Sequence, residues 1–240
     1  MKKSIEQKRI GFHSIESIIK NNPHKIKKLF LPSSRDDNRI NNLIDMANKN
    51  GIKFEVSKKL KQDPEALITN ENKLNFKNLK EFIDNSNNQK LMILVLDNVI
   101  DPRNLGACIR SAAVTGVDAL IINKHHCAPL NEVAHSVSAG GAENVKTFFV
   151  SNLVNCIKYL KEMNIQIFGL SEHASMKYIE CEFVQHSAVI MGSEEFGIRK
   201  KTEENCDYLI KLNDNKNFKS FNVSVATGII LSEIARQRTC

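Results

Sequence analysis

The 240-residue sequence has no Cys-x-x-Cys pair, no apolar run long enough to span a bilayer, and no G-x-G-x-x-G after a predicted strand. Each absence removes a class of function. The six cysteines, at 108, 127, 156, 181, 206 and 240, are widely scattered, so neither a zinc site nor a disulfide framework is implied. They read as reduced thiols of a cytoplasmic protein. No membrane helix is expected, and Met1-Lys2-Lys3-Ser4-Ile5-Glu6 lacks the apolar core of a signal peptide. A dinucleotide enzyme is unsupported. The loop from Gly192 to Gly197 has the spacing of a phosphate loop, but Ile198-Arg199 follows it and two acids inside it would repel phosphates. His125, His126, His173 and His186 lack the spacing of ligands on a helix, so no metal is expected. There is no 20–50-residue repeat and no heptad pattern.

What is present is unevenly distributed. Residues 1–90 hold 19 Lys and Arg against 11 Asp and Glu, net +8, whereas residues 91–240 hold 15 against 16, net −1. A whole segment at that charge beside a neutral one points to a polyanion partner. Nucleic acid is favoured over a membrane surface, because no basic face is paired with a long apolar one.

Periodicity predicts a small α/β module first: a helix ending at Asn21, a strand over 25–31 stopped by Pro32, a helix over 36–49, and a strand over 52–56. Residues 62–90 are rich in Asn and Lys and weakly periodic, with one helix at Leu79–Ile83. They read as a connecting, partly mobile region. From Leu91 continuous apolar runs appear, at 91–96, 119–122, 147–150, 165–170, 188–191 and 208–212. Helical patterns lie between them. The expectation is a mainly parallel sheet with helices on both faces. The domains are therefore 1–75 (basic, suited to a nucleic acid), 76–90 (linker) and 91–240.

Three loops at the carboxyl ends of such strands collect the polar residues. The stretch 97–110 opens a helix with Asn104 in its first turn, where a cap is the ordinary reading, and carries Arg110 inside a small-residue helix. An ion pair is the ordinary reading of Arg110. The second stretch is 191–199. In the third, the polar run 213–217 leads to Ser220-Phe221-Asn222 and a helix with Val223, Ala226, Ile230 and Ile234 inward. Asn222 is read as a helix cap or a site residue. These loops bring Asn, Arg, Glu, Ser and Gly together without a metal set or a nucleophile, which suits group transfer from an activated donor.

The three stretches resemble the motifs of the SpoU branch of the SPOUT superfamily, S-adenosylmethionine-dependent RNA ribose 2′-O-methyltransferases: D-x-x-x-D-P-x-N-L-G-A-x-x-R-S-A at 97–112, M-G-x-E-x-x-G-x-R at 191–199, and S-x-N-V-S-V-A-x-G-I at 220–229. Leu130–Ala134, Ser138–Glu143 and the opening Gly11–Ile19 are also similar to that family, the last to the amino-terminal domain of its branch acting on a 23S rRNA guanosine. The resemblance implies an amino-terminal domain like ribosomal protein L30e, a carboxy-terminal trefoil knot and an obligate homodimer. It also implies active-site positions at Asn104, Arg110, Glu194, Ser220 and Asn222. Gly192, Leu212 and Phe221 match positions that hold the methyl donor. Arg110, always protonated, would clamp a phosphate and polarise the attacking oxygen, with Asn104 and Glu194 orienting it and Ser220 and Asn222 shaping the loop. Leu212-Asn213-Asp214 stands where Ile-Pro-Met is usual, Lys216 replaces a glycine, and Phe221 replaces a leucine. A transfer-RNA methyltransferase and a non-catalytic RNA-binding assembly factor are the alternatives.

Overall fold

The structure, a computed structural model, describes residues 6–69, 73–86, 90–193, 195–212 and 220–239. Chain order begins with β1 (Glu6–Ile10), α1 (Phe12–Asn21), β2 (Ile26–Pro32), α2 (Asn38–Lys49), β3 (Phe54–Ser57) and β4 (Glu65–Thr69). Gly11, at φ 93°, makes the sharp turn from β1 into α1, a conformation that an L side chain resists. Asp37 caps α2 by accepting from the backbone N–H groups of Arg39 and Ile40. Ile15, Ile18 and Ile19 of α1 and Ile40, Leu43 and Ala47 of α2 are buried against Leu29 and Leu31 of the sheet, as their spacing predicts.

The order in this sheet is β1-β4-β2-β3, with β4 antiparallel to both neighbours. That corrects the reading of 62–90 as a connecting region. Glu65–Thr69 is an inner strand, with Ala66 and Ile68 in the core. Five residues with two inward side chains give too short an alternation to stand out from the polar sequence around them.

Next come β5 (Leu74–Asn75) and α3 (Phe76–Asp84). Here too the expected linker, 76–90, differs from what forms. Asn75 and Asn78 make a reciprocal capping box at the start of α3. Leu79 and Ile83 are buried in the core of the large domain beside Leu91, Ile93 and Phe148. β5 and α3 thus belong with the second sheet and its core and not with the first sheet.

The large domain continues with β6 (Met92–Leu96), α4 (Pro102–Thr115), β7 (Ala119–Asn123), α5 (Glu132–Ser138), α6 (Gly141–Asn144), β8 (Lys146–Val150) and α7 (Leu153–Glu162). Then follow β9 (Gln166–Leu170), β10 (Met176–Lys177), β11 (Ser187–Met191), α8 (Lys200–Glu203), β12 (Tyr208–Lys211) and α9 (Val223–Thr239). The order is β10-β12-β9-β11-β6-β7-β8-β5, parallel throughout. All five residues of β6, β7 and β11 are buried, which is why these strands read as unbroken apolar runs. Leu94 and Leu96 face the core under α4 and α9, and Ile93 and Val95 face that under α3 and α7. Each such side chain contributes about 1.5–3 kcal/mol on burial, so this core dominates the fold.

β6 leads through α4 to β7 on one side, while its neighbour β11 leads through α8 toward β12 on the other. The switch point between them is where ligands of open α/β sheets bind, outside the carboxyl ends of the strands. Elsewhere α1 and β1 dock on α6 and α5, which pack in turn on α4. Gly140, at φ 88°, has no room for a side chain, since a Cβ would lie 2.7 Å from Ser17 Oγ and 2.8 Å from the His13 carbonyl oxygen. No helix among the described residues is long and apolar enough to cross a membrane.

Candidate active site

A cleft of about 210 Å³ opens above the carboxyl ends of β9, β11 and β12, closed on its far side by the start of α9. Of the residues singled out from the sequence, Gly192, Leu212, Ser220 and Phe221 line it. Its inner wall is apolar, with Leu170, Met191, Val223 and Ala226. Gly192 must be glycine because the loop doubles back on it: a Cβ would sit 2.0 Å from the Gly197 carbonyl carbon. Ser193 and Gly197 close that loop with reciprocal backbone N–H···O bonds of 3.0 Å, leaving Glu195 and Phe196 exposed at its tip. The mouth is acidic, with Glu172, Glu195 and Glu203 against Lys211. Such a lining attracts a cationic ligand and repels a nucleoside phosphate.

The start of α4 forms the adjoining rim. Asn104 is not its cap. Asp101 takes that place, accepting from Arg103 N–H, with Pro102 in the first helical position. The Asn104 side chain, still in the first turn, accepts through Oδ1 from Asn222 Nδ2 at 3.2 Å. Asn222 also caps α9 by accepting from Ser224 N–H at 2.9 Å. The cap reading of Asn222 is thus realised, and the same side chain meets a residue 118 positions away across the rim.

Arg110 does not line the cleft of its own chain. Six residues past Asn104, it is rotated about 240° around α4 and displaced about 9 Å along it. It is exposed and has no ion pair or hydrogen bond with another described residue, so the ordinary reading as a structural ion pair is not realised. Glu194 and residues 213–219, including Asn213, Asp214 and Lys216, lie outside the described residues. Among the described residues no group of three or more His, Cys, Asp or Glu is placed to hold a metal ion.

Two charged clusters were not singled out from the sequence. Asp97, one residue beyond β6, is fully buried and pairs with Arg199 at 2.8 Å. A charge terminating an all-apolar strand was the available signal. Between the domains, Glu143 Oε1 accepts from Arg9 Nε at 3.2 Å and lies 2.9 Å from His135 Nδ1. Burial lowers the pKa of Arg9, with Glu143 opposing that shift. Burial likewise pushes the thiols of Cys156 and Cys206 up to about 12, which keeps both protonated and inert at neutral pH.

Comparison with known proteins bears on both domains. Residues 91–232 match the SpoU rRNA Methylase family, and residues 10–62 match the RNA 2′-O ribose methyltransferase substrate-binding family. The chain is 33% identical to a 23S rRNA (guanosine-2′-O-)-methyltransferase of Acinetobacter baylyi, over 95% of this chain and 96% of that one. It is 35% identical to the protein so named in Blochmanniella floridana, over 95% and 94%. Its fold is similar to that of the SpoU methyltransferase AviRb from Streptomyces viridochromogenes in complex with AdoMet. The TM-score is 0.82 at 18% identity, covering 98% of this chain and 91% of that one.

Proposed function

Because the chain belongs to the SpoU rRNA methylase family, we propose that its rim loops carry out methyl transfer from S-adenosylmethionine to a guanosine ribose 2′-hydroxyl of 23S rRNA. It is an S-adenosylmethionine-dependent RNA 2′-O-methyltransferase. The observation that carries the local assignment is the cleft itself, apolar inside and acidic at the mouth. Those residues fit the donor, whose adenosine needs an apolar wall and whose sulfonium needs negative surroundings. Gly192, Leu212 and Phe221 would hold it, Gly192 through the tight turn that packs it against the Gly197 backbone. When bound, the donor supplies a methyl group already activated for displacement.

The residues of the chain then have to exclude water and align the ribose. Asn104 and Asn222, joined across the rim, would present amide groups to the acceptor sugar, with Ser220 beside them and Glu194 assigned by motif alone. Arg110 is proposed to clamp the neighbouring phosphate and polarise the oxygen, acting from a second copy of the chain. The support is its position: Val114, one helical turn on and 81% exposed, shares its face of α4, and Val225 on α9 is 50% exposed. These apolar side chains left in water on two packed helices are what supports placing an interface there. The proposed homodimer would cover them.

A carboxy-terminal trefoil knot is proposed as well, although knots are rare in folds generally. Its support is the return of α9 from the outlying β12 to pack beside α4, and the reach of Arg238. That guanidinium donates to the carbonyls of Lys90, Leu91, Phe183 and Gln185 and to Ser187 Oγ, at the amino ends of β6 and β11. The small domain is proposed to hold the RNA. It exposes Lys58, Lys59 and Lys61 on one loop, and Arg35 and Arg39 stack on Phe12 at 4.8 and 4.5 Å.

Ribose methylation mapped by mass spectrometry in rRNA and tRNA from cells lacking the gene tests the reading. Loss of one guanosine 2′-O-methyl from 23S rRNA is expected, and an unchanged rRNA pattern would overturn it. Purified Arg110→Ala should bind S-adenosylmethionine in calorimetry yet transfer almost no methyl to RNA, whereas normal turnover removes Arg110 from the mechanism.

A further inference from the structure

Asp97 presents a physical puzzle that the methyl-transfer scheme leaves unused. A carboxylate with no exposure to water is costly unless its charge is matched and its lone pairs are filled. Both conditions are met. Oδ1 accepts from Arg199 Nε at 2.8 Å and from Asn123 Nδ2 at 3.2 Å, and Oδ2 accepts from the Arg199 backbone N–H at 3.3 Å. One arginine is thus gripped twice, through side chain and main chain. Asn123, at the end of β7, extends the grip across the neighbouring strand.

Arg199 ends the loop that Gly192 begins. The other end of the loop is held from the same place, since Asn98 donates to Ser193 Oγ at 3.4 Å. Asn98 does so from φ 70°, a left-handed conformation uncommon outside glycine. Residues 97 and 98 therefore fasten both ends of the loop to the tip of β6. Between the fastenings, Ser193, Glu195, Phe196 and Ile198 form one wall of the cleft, while Asp97 does not line it.

We propose that Asp97 is a positioning residue acting through Arg199, and that this pair sets the loop wall against which the methyl donor binds. The inference rests on the methyltransferase reading given above. It states that donor affinity is controlled by a carboxylate that never touches the donor. A pair that serves stability alone would lower the melting point and leave the cleft unchanged.

The full-length wild type, Asp97→Ala, Arg199→Ala, the double variant and Arg199→Lys are compared by three measurements. Calorimetry with S-adenosylmethionine should show Asp97→Ala weakened by about tenfold or more, because a wall displaced by an ångström removes most of the alignment. KM for RNA should stay unchanged. The double variant should be no weaker than Asp97→Ala, and Arg199→Lys, which retains the backbone bond and a cation, should recover part of the loss. Wild-type donor affinity in Asp97→Ala, with only a lower melting point, overturns the proposal.

Hydrogen exchange of the Ser193 and Gly197 amides in donor-free protein separates this inference from the activity. Asp97→Ala should exchange faster at both whether or not the chain methylates RNA, and unchanged exchange overturns the proposal. A wild type that bound no donor would instead sink the activity reading. Should Asp97→Ala fail to fold, Asp97→Asn keeps an acceptor oxygen and removes the charge. It should show the same losses in smaller degree, and the absence of any loss again overturns the idea.

Discussion

Asp97 and Glu143 are both carboxylates withdrawn from water, and both grip an arginine, yet they are satisfied to different degrees. Both oxygens of Asp97 are used, and its partners all belong to the large domain. Glu143 instead crowds Arg9 and His135 onto Oε1, while Oε2 is buried without a hydrogen-bond partner among the described residues. The first joins loops within one sheet, where register fixes every distance. The second joins two domains, where one carboxylate oxygen is shared by groups from both. A rim that has to hold a small donor needs the complete arrangement. A junction needs only a preferred orientation, and a buried ion pair can supply that even when it adds little net stability.

The contrast can be broken most severely at Gly192. With a Cβ 2.0 Å from the Gly197 backbone, Gly192→Ala must open the loop. Donor binding in calorimetry is expected to fall below detection while the fold survives, and near-normal affinity would remove the loop from the site. Glu143→Ala tests the other pole. It leaves Arg9 buried without its counter-charge, and urea denaturation should show a loss of about 3–5 kcal/mol. Donor affinity should be untouched, so a parallel loss of affinity would mean that junction and rim are one unit.

The smallest effect belongs to an ion pair in water, which calibrates the two buried ones. Hydrogen bonds from Arg236 and Gln237 hold the Glu233 carboxyl at about 2, below its ordinary 4.5. A depressed carboxylate pKa stabilises the fold above the ordinary value, and that contribution is lost as pH falls from there through about 2. Glu233→Gln should therefore lower stability by no more than about 1 kcal/mol near neutrality, and the difference should vanish toward pH 2. A gap that persists at that pH would assign the effect to packing.

Much of the large domain was legible because strands buried on both faces leave unbroken apolar runs. Six such runs, from 91–96 to 208–212, became strands with ends shifted by a residue or two. The glycine-bounded loop 192–197 and the start of α9 at Val223 were equally readable. The inner strand Glu65–Thr69 was not, since its apolar side chains are few and its neighbours polar. Helix α3 was seen only in part, and its membership of the large core was invisible because Leu79 and Ile83 show a buried face without showing its partner. The ordinary reading of Asn104 as a cap fails because Asp101 has the better place, one residue before Pro102.

The sequence by itself determined the alternation of strands and helices, the strand ends at which polar loops collect, and the family that those loops declare. Only the tertiary structure decided that Asp97 meets Arg199 102 positions away, that Arg9 meets Glu143 134 away, and that Arg110 turns from the cleft of its own chain. The reason is physical: periodicity records which side of an element leaves water, but the identity of the neighbour on that side is a property of packing, which no local pattern contains.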